Sequence, residues 1–333
     1  MTATLKASTG ARYARIYSVG SAVGSRVLDN EFMCRTIDSS DEWIRQRTGI
    51  VERRWLDEGE TLESLCLDAA RQAIERSGLA AGQIDGVLVA TVSRAVQTPA
   101  LAPQLAAQLG TAPDPVAYDL SAACASFCYG LAQAEALIRA GQARYVLLIA
   151  AETLSRMTDI HDRTTAFLFA DGAGAVVVGP SEVNGIGPVV WGSDGSQSDV
   201  IWQTSDWFAA LDAGQHPYLG MNGQAVFRWA TTQIAQAAKQ CLDKAGITPG
   251  ELDVFIPHQA NDRITDTMLR YLKLPASVVV ARTIRHLGNT SGSSIPIAMD
   301  TLLRSGDAKS GQTALIIGFG AGLVYGGQVV TLP

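Results

Sequence analysis

Three residues in this chain have side chains and settings suited to thioester chemistry: Cys124, His258 and Asn289. Cys124 follows a short apolar strand that begins at Val116. It sits among small residues (Ser121, Ala122, Ala123, Ala125, Ser126) and precedes a helical run from Phe127 to Ala140. A strand that turns into a buried helix places the turn residue at the helix N-terminus, where unpaired N–H groups and the macrodipole favour an anion. A cysteine there is expected to lose its proton more easily, and the thiolate is the nucleophile. The small neighbours let a substrate carbonyl approach the backbone. Read alone, Cys124 equally fits a small buried core position. His258 and Asn289 stand in Pro257-His258-Gln259-Ala260-Asn261 and in the polar run His286 to Ser294. Each alone fits a structural residue. Together the three supply a nucleophile and two neutral hydrogen-bond donors, which a reaction passing through a thioester enolate requires.

An internal repeat implies how these residues are brought together. Gly78–Val89 resembles Gly246–Pro257, 168 residues apart, and Tyr145–Ile149 matches Thr313–Ile317 at the same separation. The chain is therefore expected to form two similar α/β halves packed across a pseudo-twofold. Sites of α/β proteins lie at strand ends. One half would present Cys124 and the other His258 and Asn289.

Other stretches fill in this plan. Arg15–Gly20 reads as a first strand. Ser40 caps a short helix that puts Trp43 and Arg47 on one face. An aromatic plane beside a guanidinium suits a nucleotide base and its phosphates, and it also fits ordinary surface packing. Leu62–Ser77 is an amphipathic helix closed by Gly78. Val87–Val92 and Tyr145–Ala150 are buried strands, and Thr98-Pro99 opens a helix through Leu109. Phe169–Ala175 reads as a Gly-rich turn leading into a strand at Val176. It is not a dinucleotide fingerprint, because no helix follows. Residues 192–222, with Trp202, Trp207 and Tyr218, read as a long connection or cap.

Composition narrows the function classes. The 333 residues are 47% hydrophobic and 17% charged, enough for a large core. The net charge of -6 and the absence of a basic run point away from nucleic acid. The odd set of five cysteines, without paired or metal-like spacing, points to reduced thiols and a cytoplasmic location. Residues 1–12 contain no apolar signal segment, and no apolar run approaches a membrane span.

The motifs together resemble the β-ketoacyl-acyl carrier protein synthase III family, especially its actinobacterial members. They are Asp41-Glu42-Trp43-Ile44 with Arg47-Thr48-Gly49-Ile50, Ala122-Ala123-Cys124-Ala125, Pro257-His258-Gln259-Ala260-Asn261, Gly288-Asn289-Thr290-Ser291 and Gly318-Phe319-Gly320-Ala321-Gly322. The resemblance runs from about Ala11 to Pro333. It implies an α/β, thiolase-like fold layered α-β-α-β-α, with residues 1–180 forming the half that carries Cys124 and 181–333 the half that carries His258 and Asn289. It implies a decarboxylating Claisen condensation of an acyl-CoA primer with malonyl-acyl carrier protein, through an acylated Cys124. His258 and Asn289 would complete the triad, and the N–H groups of Cys124 and Ala321 would form the oxyanion hole. Trp43, Arg47, Arg163, Gly223 and Asn261 would contact coenzyme A. Thr98, Phe169, Phe227 and Phe319 would line or border the acyl pocket, and Arg228, Arg263 and Arg270 would face the carrier protein. The partners implied are acyl-CoA, the acyl carrier protein and a second copy of the chain, with no cofactor, metal, nucleic acid or membrane.

Two departures from the family pattern stand out. Ser126 replaces a common glycine, and Gly292-Ser293 replaces a common alanine pair. Both leave the triad whole. Both put the usual small primer in question and open a dedicated starter role in a secondary pathway. A thiolase would need a second cysteine near Gly320, and elongating enzymes carry histidine where Asn289 stands. A plant-type polyketide synthase, which shares Cys-His-Asn, would be a longer chain. The remaining rivals are an acyltransferase that uses Cys124 without condensation and a non-catalytic carrier-binding subunit.

Overall fold

The structure is a computed structural model that describes residues 5–333; residues 1–4, part of the polar stretch read above, lie outside the described residues. Two five-stranded mixed sheets dominate it. The first runs in the order Tyr13–Val23, Asp171–Ser181, Val146–Thr153, Gly86–Ala90, Val116–Leu120. The second runs Val190–Gly192, Val324–Thr331, Thr313–Gly320, Val254–Pro257, Val279–Val280. In both, the first three strands pair antiparallel and the last three pair parallel. The two sheets thus share one topology. The offset read from the sequence links Gly86 to Val254, which open equivalent strands.

Strand alternation decides what lies between the sheets. On Val146–Thr153, Val146, Leu148 and Ala150 join Leu88, Val176, Val254, Ile256 and Ile316 in one central core. Leu147, Ile149 and Ala151 point the other way, under the helices Leu62–Ser77 and Leu101–Leu109. Phe255, Leu315 and Ile317 do the same in the second half, against Ala235–Ala245 and Asp262–Leu272. Between the sheets lie the helices Ser126–Arg139 and Ser294–Ser305, so the layers run α-β-α-β-α. These two helices begin 168 residues apart, each after a 3₁₀ turn, Ala123–Ala125 and Ser291–Ser293. Ala123 (φ 46°) and Ser291 (φ 54°) hold the same left-handed backbone, a conformation that costs a residue with a Cβ about 1–2 kcal/mol.

Two local expectations change. The Gly-rich segment is not a turn: Asp171–Ser181 is a continuous central strand. Its small residues admit the helix Ser294–Ser305, since a Cβ on Gly174 would lie 2.6 Å from Pro296. Thr98-Pro99 does not open the following helix either. That helix begins at Leu101, and the Asp119 carboxylate accepts from the N–H groups of Leu101 and Ala102 at 2.7 and 2.8 Å. The cap is reached through the fold, from the neighbouring strand. Residues 192–222 form a short hairpin, Ile201–Gln203 with Leu219–Met221, around the helix Trp207–Asp212. Among the described residues no helix is long and apolar enough to cross a membrane.

Replacing Asp119 by Ala removes this cap and the ion-pair partner of Arg94. The expected loss of stability is about 1–2 kcal/mol, read as a lower urea midpoint at an unchanged slope. An unchanged midpoint would contradict the capping role.

Candidate active site

Cys124 lies in the turn that starts the helix Ser126–Arg139 and is half-buried. The end of the strand Thr313–Gly320 presses against it. A Cβ on Gly318 would stand 2.7 Å from the Cys124 carbonyl oxygen, and one on Gly320 would stand 2.8 Å from its nitrogen and 3.0 Å from Sγ. Only glycine permits this approach. It brings the Gly320-Ala321 segment of the second half beside Sγ.

One turn of the second half links all three candidate residues. Asn289 precedes it, and its Oδ1 accepts from the Ser291 N–H at 2.8 Å, which leaves the Nδ2 donors for a ligand. Ser291 Oγ lies 3.3 Å from Cys124 Sγ. Ser294 Oγ lies 2.7 Å from His258 Nδ1 and accepts from the Gln259 N–H at 3.2 Å. The His258 ring packs edge-on to Phe319 with centroids 5.2 Å apart. Asn289 itself is fixed by backbone hydrogen bonds to Leu168 and Ala170 on either side of Phe169.

The electrostatics correct one expectation. Burial pushes the Cys124 thiol up to about 12, against the Ser291 hydrogen bond, and the nearby Glu152 carboxylate adds to the rise. The readily deprotonated cysteine inferred from the helix start is therefore not what this dry setting provides, because no cation pairs with Sγ among the described residues. Burial also pushes His258 down to about 3, so its ring is neutral at pH 7. Cys128, one helical turn further on, is fully buried in the central core.

A cavity of about 870 Å³ leads to Asn289. Trp43, Arg47, Arg163, Gly223 and Asn261 all line it, as do Phe227, Arg228 and Arg263. The Arg47 and Arg163 guanidinium carbons stand 5.7 and 5.9 Å from the Trp43 ring centroid. Arg263 lies 5.2 Å from the Phe227 centroid. Asn261 also holds the fold together. Its Oδ1 caps the helix Asp262–Leu272, and its Nδ2 donates to the Arg47 carbonyl at 3.0 Å, tying the two halves to each other. Phe169 and Phe319 are buried beside Asn289 and His258, outside the cavity wall. Arg270 is exposed further along the Arg263 helix. Thr98 is exposed and does not reach this cavity within the chain. Among the described residues no group of three or more His, Cys, Asp or Glu is arranged to hold a metal ion.

Family models described as "3-Oxoacyl-[acyl-carrier-protein (ACP)] synthase III" and its C-terminal part match residues 118–195 and 242–332. A β-ketoacyl-[acyl-carrier-protein] synthase III of Streptomyces glaucescens is 53% identical over 331 residues, covering 99% of both chains. The chain belongs to the β-ketoacyl-acyl carrier protein synthase III family. A mycobacterial synthase III of Mycolicibacterium paratuberculosis is 47% identical over 99% of this chain and 98% of its own. Among solved structures, the priming β-ketosynthase of the R1128 polyketide biosynthetic pathway superposes with a TM-score of 0.96 at 43% identity, covering 99% of both chains. The Aquifex aeolicus synthase III gives 0.88 at 35% identity, covering 96% of this chain and 99% of its own.

The two departures from the family pattern prove complementary. A Cβ on Gly292 would lie 2.2 Å from Ser126 Oγ, so the hydroxyl occupies the room that an alanine side chain at this position would take. That hydroxyl is buried without a hydrogen-bond partner among the described residues. The sequence pointed to neither Ser294 nor Ser291 as partners of His258 and Cys124, nor to Glu152. A carboxylate near the end of the otherwise apolar strand Val146–Thr153 was the one legible signal.

Gly292→Ala is expected to cost about 1–3 kcal/mol through overpacking, and adding Ser126→Ala is expected to restore most of it. A urea-denaturation double-mutant cycle measures the coupling. Additive effects would show that the two positions do not share this space.

Proposed function

We propose that the protein joins an acyl-CoA primer to malonyl-acyl carrier protein with loss of carbon dioxide, giving 3-ketoacyl-carrier protein. One observation carries this reading. A single turn connects the Cys124 thiol, the neutral His258 ring and the free donors of Asn289, and of these three Asn289 lines the cavity that Trp43, Arg47 and Arg163 also line. Family membership supports the same chemistry.

In the first half-reaction Trp43 stacks on the adenine of coenzyme A and the two arginines meet its phosphates. The remaining wall, including Gly223 and Asn261, accommodates the pantetheine arm. Cys124 Sγ attacks the thioester while the N–H groups of Cys124 and Ala321 hold the oxyanion. Coenzyme A departs and the malonyl-pantetheine arm of the carrier enters by the same route. We assign the Ser294 hydroxyl, which accepts from the Gln259 N–H, as donor to Nδ1 of His258, which leaves the proton of the neutral ring on Nε2. Nε2–H and Asn289 Nδ2–H then donate to the malonyl thioester carbonyl as carbon dioxide leaves, and the resulting carbanion attacks the acyl-cysteine. An imidazolium is not needed, in keeping with a ring held neutral by burial. Arg228 and Arg263 at the cavity wall, with Arg270 beyond, form the docking patch for an acidic carrier protein.

Intact-mass spectrometry after mixing with acyl-CoA should show one acyl adduct, absent in Cys124→Ala. His258→Ala and Asn289→Ala should keep the adduct and lose about 10²–10³-fold in condensation, followed by carbon dioxide release. No adduct would leave a carrier-binding protein. An adduct without carbon dioxide release would leave a plain acyltransferase.

The acyl pocket is completed, on this reading, by a second copy of the chain. In the loop from Arg94 to Pro99, residues 95–99 are exposed and Val96 is 54% exposed, apolar surface that a partner would cover. Thr98 of this loop then caps the partner's pocket floor and leaves room for more carbons than a phenylalanine would. Each additional buried methylene contributes about 0.8 kcal/mol. Wild type should therefore show higher kcat/KM for longer or branched primers than for acetyl-CoA, and Thr98→Phe should shift the preference toward acetyl-CoA. An acetyl preference unchanged by Thr98→Phe would place the pocket floor elsewhere.

A further inference from the structure

Glu152 is fully buried, and the reaction steps above leave it without a role. It lies on the strand Val146–Thr153 in the alternation that points Val146, Leu148 and Ala150 between the sheets, so its carboxylate faces the Cys124 turn. Five contacts fix it. Ser93 Oγ donates at 2.6 Å, Thr91 Oγ1 at 3.4 Å, and the Val92 N–H reaches both oxygens at 3.3 and 3.2 Å. The fifth is Ser291 Oγ, 3.5 Å from Oε1 and 3.3 Å from Cys124 Sγ. Thiol, hydroxyl and carboxylate therefore form a chain of contacts. Ser291 holds a left-handed backbone, and its hydroxyl lies between the two groups.

We propose that Glu152 is the proton store of Cys124, reached through the Ser291 hydroxyl. As Sγ bonds to the thioester carbon, the Sγ–H bond breaks and its proton passes to Ser291 Oγ, while the hydroxyl proton of Ser291 passes to Glu152 Oε1. Coenzyme A leaves as a thiolate and takes a proton from solvent. When the malonyl-derived carbanion later displaces Cys124 from the acyl group, the proton returns from Glu152 through Ser291 to Sγ. One solvent proton is consumed per turnover, as decarboxylating condensation requires.

The need for such a relay follows from the dry setting. A thiol pushed up to about 12 is not ionised near neutral pH, and His258, held neutral by burial, meets the same turn through Ser294. Burial pushes Glu152 up to about 7, opposed by its hydrogen bonds, which matches a base working near neutrality. The other titratable groups around Glu152 do not compete. Cys66 on the helix Leu62–Ser77 is itself pushed up by burial. Arg94 pairs with Asp119 at 3.3 Å, and Asp171 on the neighbouring strand is held by Ser155. Glu152 acts through Ser291 and is a positioning residue.

The proposal rests on Cys124 being the nucleophile, so the test uses iodoacetamide, which alkylates the thiol whether or not acyl-CoA is the substrate. The alkylation rate of Cys124 in the full chain is measured from pH 5 to 10 by intact mass. In wild type it should rise to a plateau with an inflection near 7, the value at which Glu152 loses its proton. Glu152→Gln keeps the shape and removes the base: the rate at pH 7.5 should fall about 10²-fold and the inflection should vanish. Glu152→Asp should restore part of both. Wild-type rate and profile in Glu152→Gln would overturn the relay. If Glu152→Gln does not fold, Ser291→Ala decides, because it keeps the carboxylate and cuts the path; a wild-type profile there overturns the proposal equally. Absence of an acyl adduct in wild type would remove the condensation reading while leaving this result standing.

Discussion

The structure depends on the contact between the end of one central strand and the backbone of Cys124. Gly318 and Gly320 lie so close to the Cys124 turn that a methyl group at either would collide with main-chain atoms. This contact docks the second half onto the first and also brings the Gly320-Ala321 segment beside Sγ. Packing and site geometry are therefore one constraint. The cost is a left-handed backbone at Ala123 and at its counterpart Ser291, held in place by the surrounding core.

The pseudo-twofold explains why the site is asymmetric although the halves are alike. The offset that relates the sheets carries Cys124 to Gly292 and Gly320 to Glu152. Where the second half presses a glycine on a cysteine, the first half points a carboxylate at a turn built on glycine and serine. The two turns are copies of one backbone shape with different side chains. One carries the thiol of Cys124. The other became a rack of hydroxyls, Ser291 and Ser294, that orients the groups around it. Ser126 occupies the room left at Gly292, so even the departures from the family pattern respect this mirror relation.

Low polarity sets the chemistry. His258 is neutral and Cys124 is a thiol because the interior offers neither a charge of the opposite sign. Neutral donors are what an enolate oxygen needs, and they lose little to water in such a site. The same dryness makes a free thiolate expensive. Cationic groups are instead kept at the wall of the cavity, where Arg47, Arg163, Arg228 and Arg263 remain exposed. The molecule separates the exposed arginines at the cavity wall from the uncharged surroundings of His258 and Asn289.

The two-half plan, several of the main helices and the candidate central residues were legible from the order of residues alone. These follow from local signals: a repeat at constant offset, the cap at Ser40, the helix-closing glycine at 78, and apolar strands of fixed period. Trp43 and Arg47 were legible as a pair because helical spacing is local. Tertiary structure decided the rest. Asp119 caps a helix that begins 18 residues before it, and the Gly-rich segment is a strand because a helix from the other half needs its small surface. The protonation of Cys124 reversed for the same reason. A helix N-terminus is a local feature that favours an anion, whereas the solvent excluded by Gly318, Gly320 and Ser291 is a property of the packed molecule, and desolvation is the larger effect. Glu152 and Ser291 are 139 residues apart in the chain, and only the packing of one half against the other sets them on either side of a hydrogen bond.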